Sequence, residues 1–267
     1  MERAKGLELP LRRWLLPDRF HRIEVETDSR CNRSCYYCPV AVDRRPAHKM
    51  SEELFTDIVD QLAQMRFRGR FSPHFFGEPL LDKRLPHLVS IVRDRLPRAK
   101  VVIYTNGDLL TPERAHALLD AGVAYFIVTF EEGETDAWRK TEPTLSRAQR
   151  RRFWVRDFET GVSNPFNRGG LVRFPTRELH QTACYAPASA LVVDAWGKVR
   201  LCANDYYGEV EWGDLHHDRL EEVWARPQFR ALRRDLLRGE FRKPICRACV
   251  GLEEREPLAV NPPRAAR

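Results

Sequence analysis

The stretch RIEVETDSRCNRSCYYC, residues 22–38, sets the reading of the whole chain. In its first half Ile23 and Val25 alternate with polar neighbours, the period of a strand with one face toward a core. Its second half places Cys31, Cys35 and Cys38 in one tight loop directly after that strand. Three soft thiolates from a single loop suit an iron–sulfur cube and leave its fourth iron open to another ligand. A zinc loop is the alternative, and its fourth ligand would have to be His48 on the following loop.

Outward from this stretch the pattern alternates. Ser51 opens a helix with Glu52 and Glu53 in its first turn and an apolar stripe of Leu54, Phe55, Ile58, Val59 and Leu62,. Residues 71–75 read as a second strand ending at Gly77-Glu78-Pro79, 85–96 as a helix, and 101–104 as a strand ending at Thr105-Asn106-Gly107. Thr111-Pro112 supplies an N-cap and a first helical position for a helix to about residue 121, and 125–130 is a fourth strand,. Strands alternating with helices imply parallel βαβ units, in which sites lie at strand C-termini, where the distinctive residues fall here. Residues 131–152 are polar and charged and yield no clear strand. Residues 190–193 and 199–202 form a hairpin around Asp194-Ala195-Trp196-Gly197, followed by helices at about 220–224 and 228–237. The expected class is α/β, an abbreviated partial (β/α) barrel with a small C-terminal α+β region.

Composition narrows the function. Hydrophobic residues make up 43% and charged residues 31% of the 267, which excludes a mainly disordered chain,. No apolar run of about 18 residues predicts a membrane span, and the mixed N-terminus is no secretory signal. A cytoplasmic protein is expected. The net charge of +7 permits an anionic partner without demanding one,. Seven cysteines, an odd number, point to metal or redox chemistry rather than disulfides,. Those outside the front loop, Cys184, Cys202, Cys246 and Cys249, form a second set of four. Its first pair lies 18 positions apart across a hairpin, unlike zinc ribbons, although four thiolates also satisfy Zn²⁺. A cluster with four protein ligands has no open iron and suits electron transfer.

The CxxxCxxC loop, with Tyr37 before its third cysteine, resembles the defining motif of the radical S-adenosylmethionine (SAM) superfamily. Gly77-Glu78-Pro79 resembles that superfamily's GGEP element, with Phe76 in place of the first glycine. The resemblance implies a [4Fe–4S] cluster on Cys31, Cys35 and Cys38 that binds SAM and releases a 5′-deoxyadenosyl radical. It also implies SAM contacts at Tyr37, Gly77, Glu78, Pro79, Thr105, Asn106 and Gly107. The back set resembles the twitch domain, a shortened relative of SPASM domains, with a second [4Fe–4S] cluster on Cys184, Cys202, Cys246 and Cys249. The implied division is an extension at 1–20, a radical SAM partial barrel at 21–170, a twitch-type domain at 171–253 and a tail at 254–267.

Residues 74–81, 103–108, 126–129 and 167–170 further resemble radical SAM dehydrogenases that oxidise a secondary alcohol of an aminocyclitol to a ketone. In that scheme Arg168 stands against the reacting hydroxyl, the auxiliary cluster takes the last electron, and flavodoxin or ferredoxin supplies the first. His74 and Tyr104 face the barrel interior as satisfied core residues. The runner-up is an aminoglycoside epimerase, which needs a hydrogen donor. All seven thiols are already assigned to clusters, leaving Tyr206 or Tyr207 for that role. Residues 131–136 (EEGETD) could pair with ammonium groups of an amino sugar or form an acidic surface loop. A peptide substrate is not expected, since no leader-binding domain precedes the barrel. Nor is nucleic acid: the basic run Arg147, Arg150, Arg151 and Arg152 with Phe153 and Trp154 is too dispersed.

Overall fold

The computed structural model describes residues 19–158, 167–172 and 183–256. Eight strands form one open sheet: β1 (Arg22–Val25), β2 (Arg70–Ser72), β3 (Lys100–Thr105), β4 (Tyr125–Phe130), β5 (Phe153–Asp157), β6 (Ala190–Val193), β7 (Lys198–Arg200) and β8 (Glu211–Asp214). Their order is β5-β4-β3-β2-β1-β6-β7-β8. Strands β1 to β5 are mutually parallel, as βαβ connections require,. β6 adds in parallel to the free edge of β1, and β7 and β8 then run antiparallel.

Helices α1 (Glu52–Gln64), α2 (Leu85–Arg95) and α3 (Pro112–Ala121) return the chain between β1 and β4. Local chemistry sets their ends. The hydroxyl of Ser51 accepts from the Leu54 amide at 3.1 Å, and Thr111 caps α3 on the Arg114 amide,. The stripe read from the sequence of α1 is buried, and Phe55 meets Phe71 of β2 edge-on at 5.8 Å. Ile23 and Val25 are fully buried in the same core. By the two-residue period of a strand, Arg22 and Glu24 must lie on the opposite face, together with Arg70, Tyr104, Thr129 and Arg156. That second face is polar and keeps solvent-accessible surface.

The segment after β4 holds more structure than its composition suggests. α4 (Asp136–Thr141) and α5 (Arg147–Arg150) precede β5, whose Phe153 stacks on Phe126 at 4.3 Å. The basic run is largely taken up here: Arg150 pairs with Glu142 and lies over Trp138, and Arg152 donates to the Ala124 carbonyl. β7 stops at Arg200 rather than reaching Cys202, at a register shift against β8,. Beyond it, α6 (Ala186–Ser189), α7 (Leu220–Ala225), α8 (Pro227–Leu237) and α9 (Pro244–Cys249) lie around β6 to β8. The expected 1–20 extension and 254–267 tail fall mostly outside the described residues. No helix among the described residues is long and apolar enough to cross a membrane.

Candidate functional site

The loop after β1 is held as a cup by its own arginines. Arg44 donates to the Cys31 carbonyl at 2.9 Å and to the Ser34 hydroxyl at 2.7 Å. Arg33 forms a two-pronged bond with Asp108, and Asn32 joins both Asp108 and Asn106. Cys31, Cys35 and Cys38 are near enough for their charges to act on one another. Burial pushes the Cys31 thiol up to about 11 and Cys35 up to about 12. Thiols so desolvated are poor free nucleophiles and suit ligands that lose their protons to a metal.

Glu26, the next residue on the polar face of β1, organises the site, and the sequence reading passed over it. Its carboxylate is fully buried and receives five hydrogen bonds. Two come from Arg45 at 2.6 and 3.0 Å, two from the Phe76 and Gly77 amides at 3.0 and 2.9 Å, and one from Ala195 at 3.2 Å. One side chain therefore fastens the cysteine loop, the Gly-Glu-Pro turn and the β6–β7 hairpin. The rings of Phe75, Phe76, Trp196 and Tyr206 surround the Arg45 guanidinium at 5.3–5.6 Å,. Glycine is required at position 77, where a Cβ would stand 1.9 Å from the Asp28 carbonyl oxygen. A buried carboxylate at the C-terminal end of a parallel strand was the available signal.

Among the expected SAM contacts, Glu78, Thr105 and Asn106 lie at two neighbouring strand ends and are bonded together. The Glu78 carboxylate accepts from the Thr105 hydroxyl at 2.7 Å, the Asn106 amide at 3.0 Å and the Leu80 amide at 3.1 Å. Burial raises its pKa to about 7 in spite of these donors. The Asn106 side chain is shared between Asn32 and the Asp108 amide. These bonds tie the turns after β2 and β3 to each other and to the cysteine loop. Tyr37 stacks on Phe158 at 3.6 Å, and its hydroxyl donates to Glu131. Of the acidic stretch 131–136, Glu131 reaches the front site, whereas Thr135 and Asp136 begin α4 and Asp136 pairs with Arg139.

His48, the candidate fourth ligand of a zinc loop, stacks on Trp196 at 5.2 Å. His74 stacks on Tyr104 at 4.5 Å within the polar face, but its buried Nδ1 lacks a partner, unlike that of a satisfied core histidine. Burial lowers its pKa to about 3, so the ring is neutral.

The four distant cysteines come together. Cys202 lies close enough to Cys184, Cys246 and Cys249 to feel each as a charge, and burial raises its pKa strongly. The Asn204 amide donates to the Cys202 sulfur at 3.5 Å, and its side-chain nitrogen to the Cys249 sulfur at 3.7 Å. Among the described residues no three His, Cys, Asp or Glu side chains converge on a single-ion site. A cube is wider than one ion and holds its thiolates farther apart. Three thiols in front and four behind, with amide donors aimed at sulfur, fit two such clusters.

Arg168 lies between the two sets. Its charge acts on Cys38, Glu24 and His74, and its guanidinium sits over Phe76 at 5.3 Å. It holds a positive φ of 52° in a turn that Asn167 pins to α9, by bonds of 3.2 Å to the carbonyls of Ala248 and Cys249. Glycine follows because a Cβ at 169 would press on Ile245 at 2.6 Å. The buried Nε of Arg168 has no partner.

Comparison with known proteins agrees with this arrangement. Residues 25–155 match the Radical SAM superfamily, and 184–250 match an iron-sulfur cluster-binding domain. The S-adenosyl-L-methionine-dependent 2-deoxy-scyllo-inosamine dehydrogenase of Niallia circulans is 34% identical over 233 residues, covering 86% of this chain and 92% of its own length. The crystal structure of BtrN in complex with AdoMet and 2-DOIA matches with a TM-score of 0.79 at 33% identity, over 85% of this chain and 92% of that one. anSMEcpe with bound AdoMet, 14% identical over 79% of this chain and 78% of its own with a TM-score of 0.55, shares the fold. With two cysteine sets in place on a shared sheet, and a dehydrogenase relative spanning nearly its full length, the chain belongs to the radical SAM superfamily.

Proposed function

We propose that this chain oxidises a secondary alcohol of an aminocyclitol or amino-sugar intermediate to a ketone. When bound, SAM at the front cluster supplies the hydrogen-atom acceptor and the back cluster supplies the electron acceptor. Cys31, Cys35 and Cys38 would hold the first cluster. The backbone of 76–79 and 105–107, with Tyr37 beside it, would hold SAM. Cys184, Cys202, Cys246 and Cys249 would hold the second. Arg168 would orient the reacting hydroxyl and stabilise negative charge developing on its oxygen. The observation that carries this reading is the turn 167–170, which presents Arg168 toward the front site while its neighbour Asn167 binds the helix of Cys246 and Cys249. That contact joins the turn of Arg168 directly to the helix that carries two cysteines of the back set. It favours net oxidation over epimerisation, as does Tyr206, whose hydroxyl is engaged with the Asp43 carbonyl. Flavodoxin or ferredoxin would deliver the initiating electron in the cytoplasm, a compartment in which thiols persist outside disulfides.

The test uses anaerobically reconstituted protein, dithionite, SAM and 2-deoxy-scyllo-inosamine deuterated at the carbinol carbon. One deuterium should enter 5′-deoxyadenosine for each ketone formed. Transfer of label with recovery of an alcohol of inverted configuration would overturn the dehydrogenase reading in favour of the epimerase.

A further inference from the structure

We propose that Glu24 is the proton acceptor of the oxidation, taking the proton of the substrate hydroxyl while Arg168 holds the oxygen; this rests on the dehydrogenase reading above. The alcohol must lose a hydrogen atom, a proton and an electron. The C–H bond breaks with its hydrogen atom going to the 5′-deoxyadenosyl carbon. The O–H bond breaks with its proton going to Glu24. The remaining electron passes to the oxidised auxiliary [4Fe–4S] cluster as the C=O bond forms.

Position and elimination single out this residue. Glu24 lies on the polar face of β1, in register with Ser72 of β2 and Val192 of β6. It is deep in the protein yet keeps accessible surface, and among the described residues it receives no hydrogen bond. The other carboxylates nearby are engaged: Glu26 by five donors, Glu131 by Tyr37, and Asp194 by Arg200 and the Trp196 and Lys198 amides. A guanidinium such as that of Arg168 can stabilise an alkoxide but is a poor acceptor for its proton. His74 is held neutral by burial and remains a weak base, and burial raises the Tyr104 phenol so that it stays protonated.

The charged and titratable groups facing Glu24 are Arg22 on its own strand, Arg70 on β2, Tyr104 on β3 and Arg168 on the 167–170 turn. Desolvation raises its pKa while the three guanidinium groups oppose the rise. A carboxylate shifted in that direction holds a proton more firmly than one in water. Around it Arg22 Nε, Arg70 Nε, Ser72 Oγ, His74 Nδ1 and Arg168 Nε are all buried without a partner. Such a set of unused polar atoms suits a ligand rich in hydroxyl groups.

The experiment compares wild type, Glu24→Gln and Glu24→Asp, each matched for iron and sulfide content, in a single anaerobic turnover with deuterated 2-deoxy-scyllo-inosamine. Binding of that compound is measured separately by calorimetry on the unreduced protein. In Glu24→Gln, labelled 5′-deoxyadenosine should form within about threefold of wild type while ketone falls by about 10²-fold, the scale of lost acid–base catalysis. A substrate-centred radical should accumulate in the electron paramagnetic resonance spectrum, and Glu24→Asp should recover part of the ketone. Weakened calorimetric binding with ketone still matched to 5′-deoxyadenosine would make Glu24 a recognition group and overturn the proposal. Unchanged coupling and binding would overturn it as well. A wild type that transfers label without releasing ketone would instead sink the dehydrogenase reading, and this role with it.

Discussion

Glu26 is the residue whose loss should be felt most widely, and its cost can be built bond by bond. In Glu26→Gln the retained Oε1 can still accept from the Phe76 and Gly77 amides. The new NH₂ group faces Arg45 and the Ala195 amide, so donors meet donors. Removing one partner of a buried ion pair costs about 3–5 kcal/mol, and Arg45 is 12% exposed,. Leaving the Ala195 amide without an acceptor adds about 1–3 kcal/mol. The sum is about 4–8 kcal/mol, against a total of about 5–15 kcal/mol for a typical domain. Anaerobic urea unfolding of the reconstituted protein, with iron per chain counted in parallel, measures this. Arg45→Met added to Glu26→Gln should regain a large part, because it removes the stranded charge. A Glu26→Gln protein within about 1 kcal/mol of wild type and fully loaded with iron would refute the argument that this carboxylate ties the site together.

Three further outcomes follow from the same geometry. Because burial lifts Glu78 to about 7, the folded state holds this proton when the unfolded chain has lost it. Stability should therefore fall as pH rises from about 4.5 through 7, by an amount on the order of 3 kcal/mol, and Glu78→Gln should remove that slope in unfolding curves taken between about pH 5 and 8. Asn204→Leu removes an N–H donor to the Cys249 sulfur and should lower the potential of the back cluster in a redox titration, with the three front cysteines changed to alanine to isolate the signal,. Gly77→Ala forces a Cβ into the Asp28 carbonyl and should abolish iron binding at the front site while the back site still loads; equal loading of both sites would contradict the close approach.

The residues that announce themselves by spacing were legible in the sequence. The cysteine triplet follows a strand of period two, Ser51 and Thr111 cap α1 and α3, and α1 shows its apolar stripe. What escaped were partners joined only through the fold. Nothing local marks Glu26 and Arg45 as a pair, since 19 positions and a strand end separate them. Glu78, Thr105 and Asn106 are expected SAM contacts by family resemblance, and each lies at a strand end. Buried polar groups must find partners, and the bonds these three make to one another could be seen only in the fold,. β5 was missed because five residues directly after a run of arginines show too little periodicity, and its identity comes from packing on Phe126. Arg168 was singled out through resemblance, whereas the tie of its neighbour Asn167 to α9 required the structure.

The pairing of β1 with β6 has a consequence for how the chain is made. β1 emerges early from the ribosome with β2 soon available on one side, but its other neighbour arrives 168 positions later, when Val193 reaches Val25. Until then one edge of the nascent sheet lies open beside three thiols, ready to pair with a neighbouring chain or to take up the wrong metal. The late strand also brings the hairpin amide that completes the bonds to Glu26. Iron loading at the front should thus wait on synthesis of the rear, so that a cell starved of cluster assembly or translating slowly accumulates chains that are half-built and sticky rather than merely inactive.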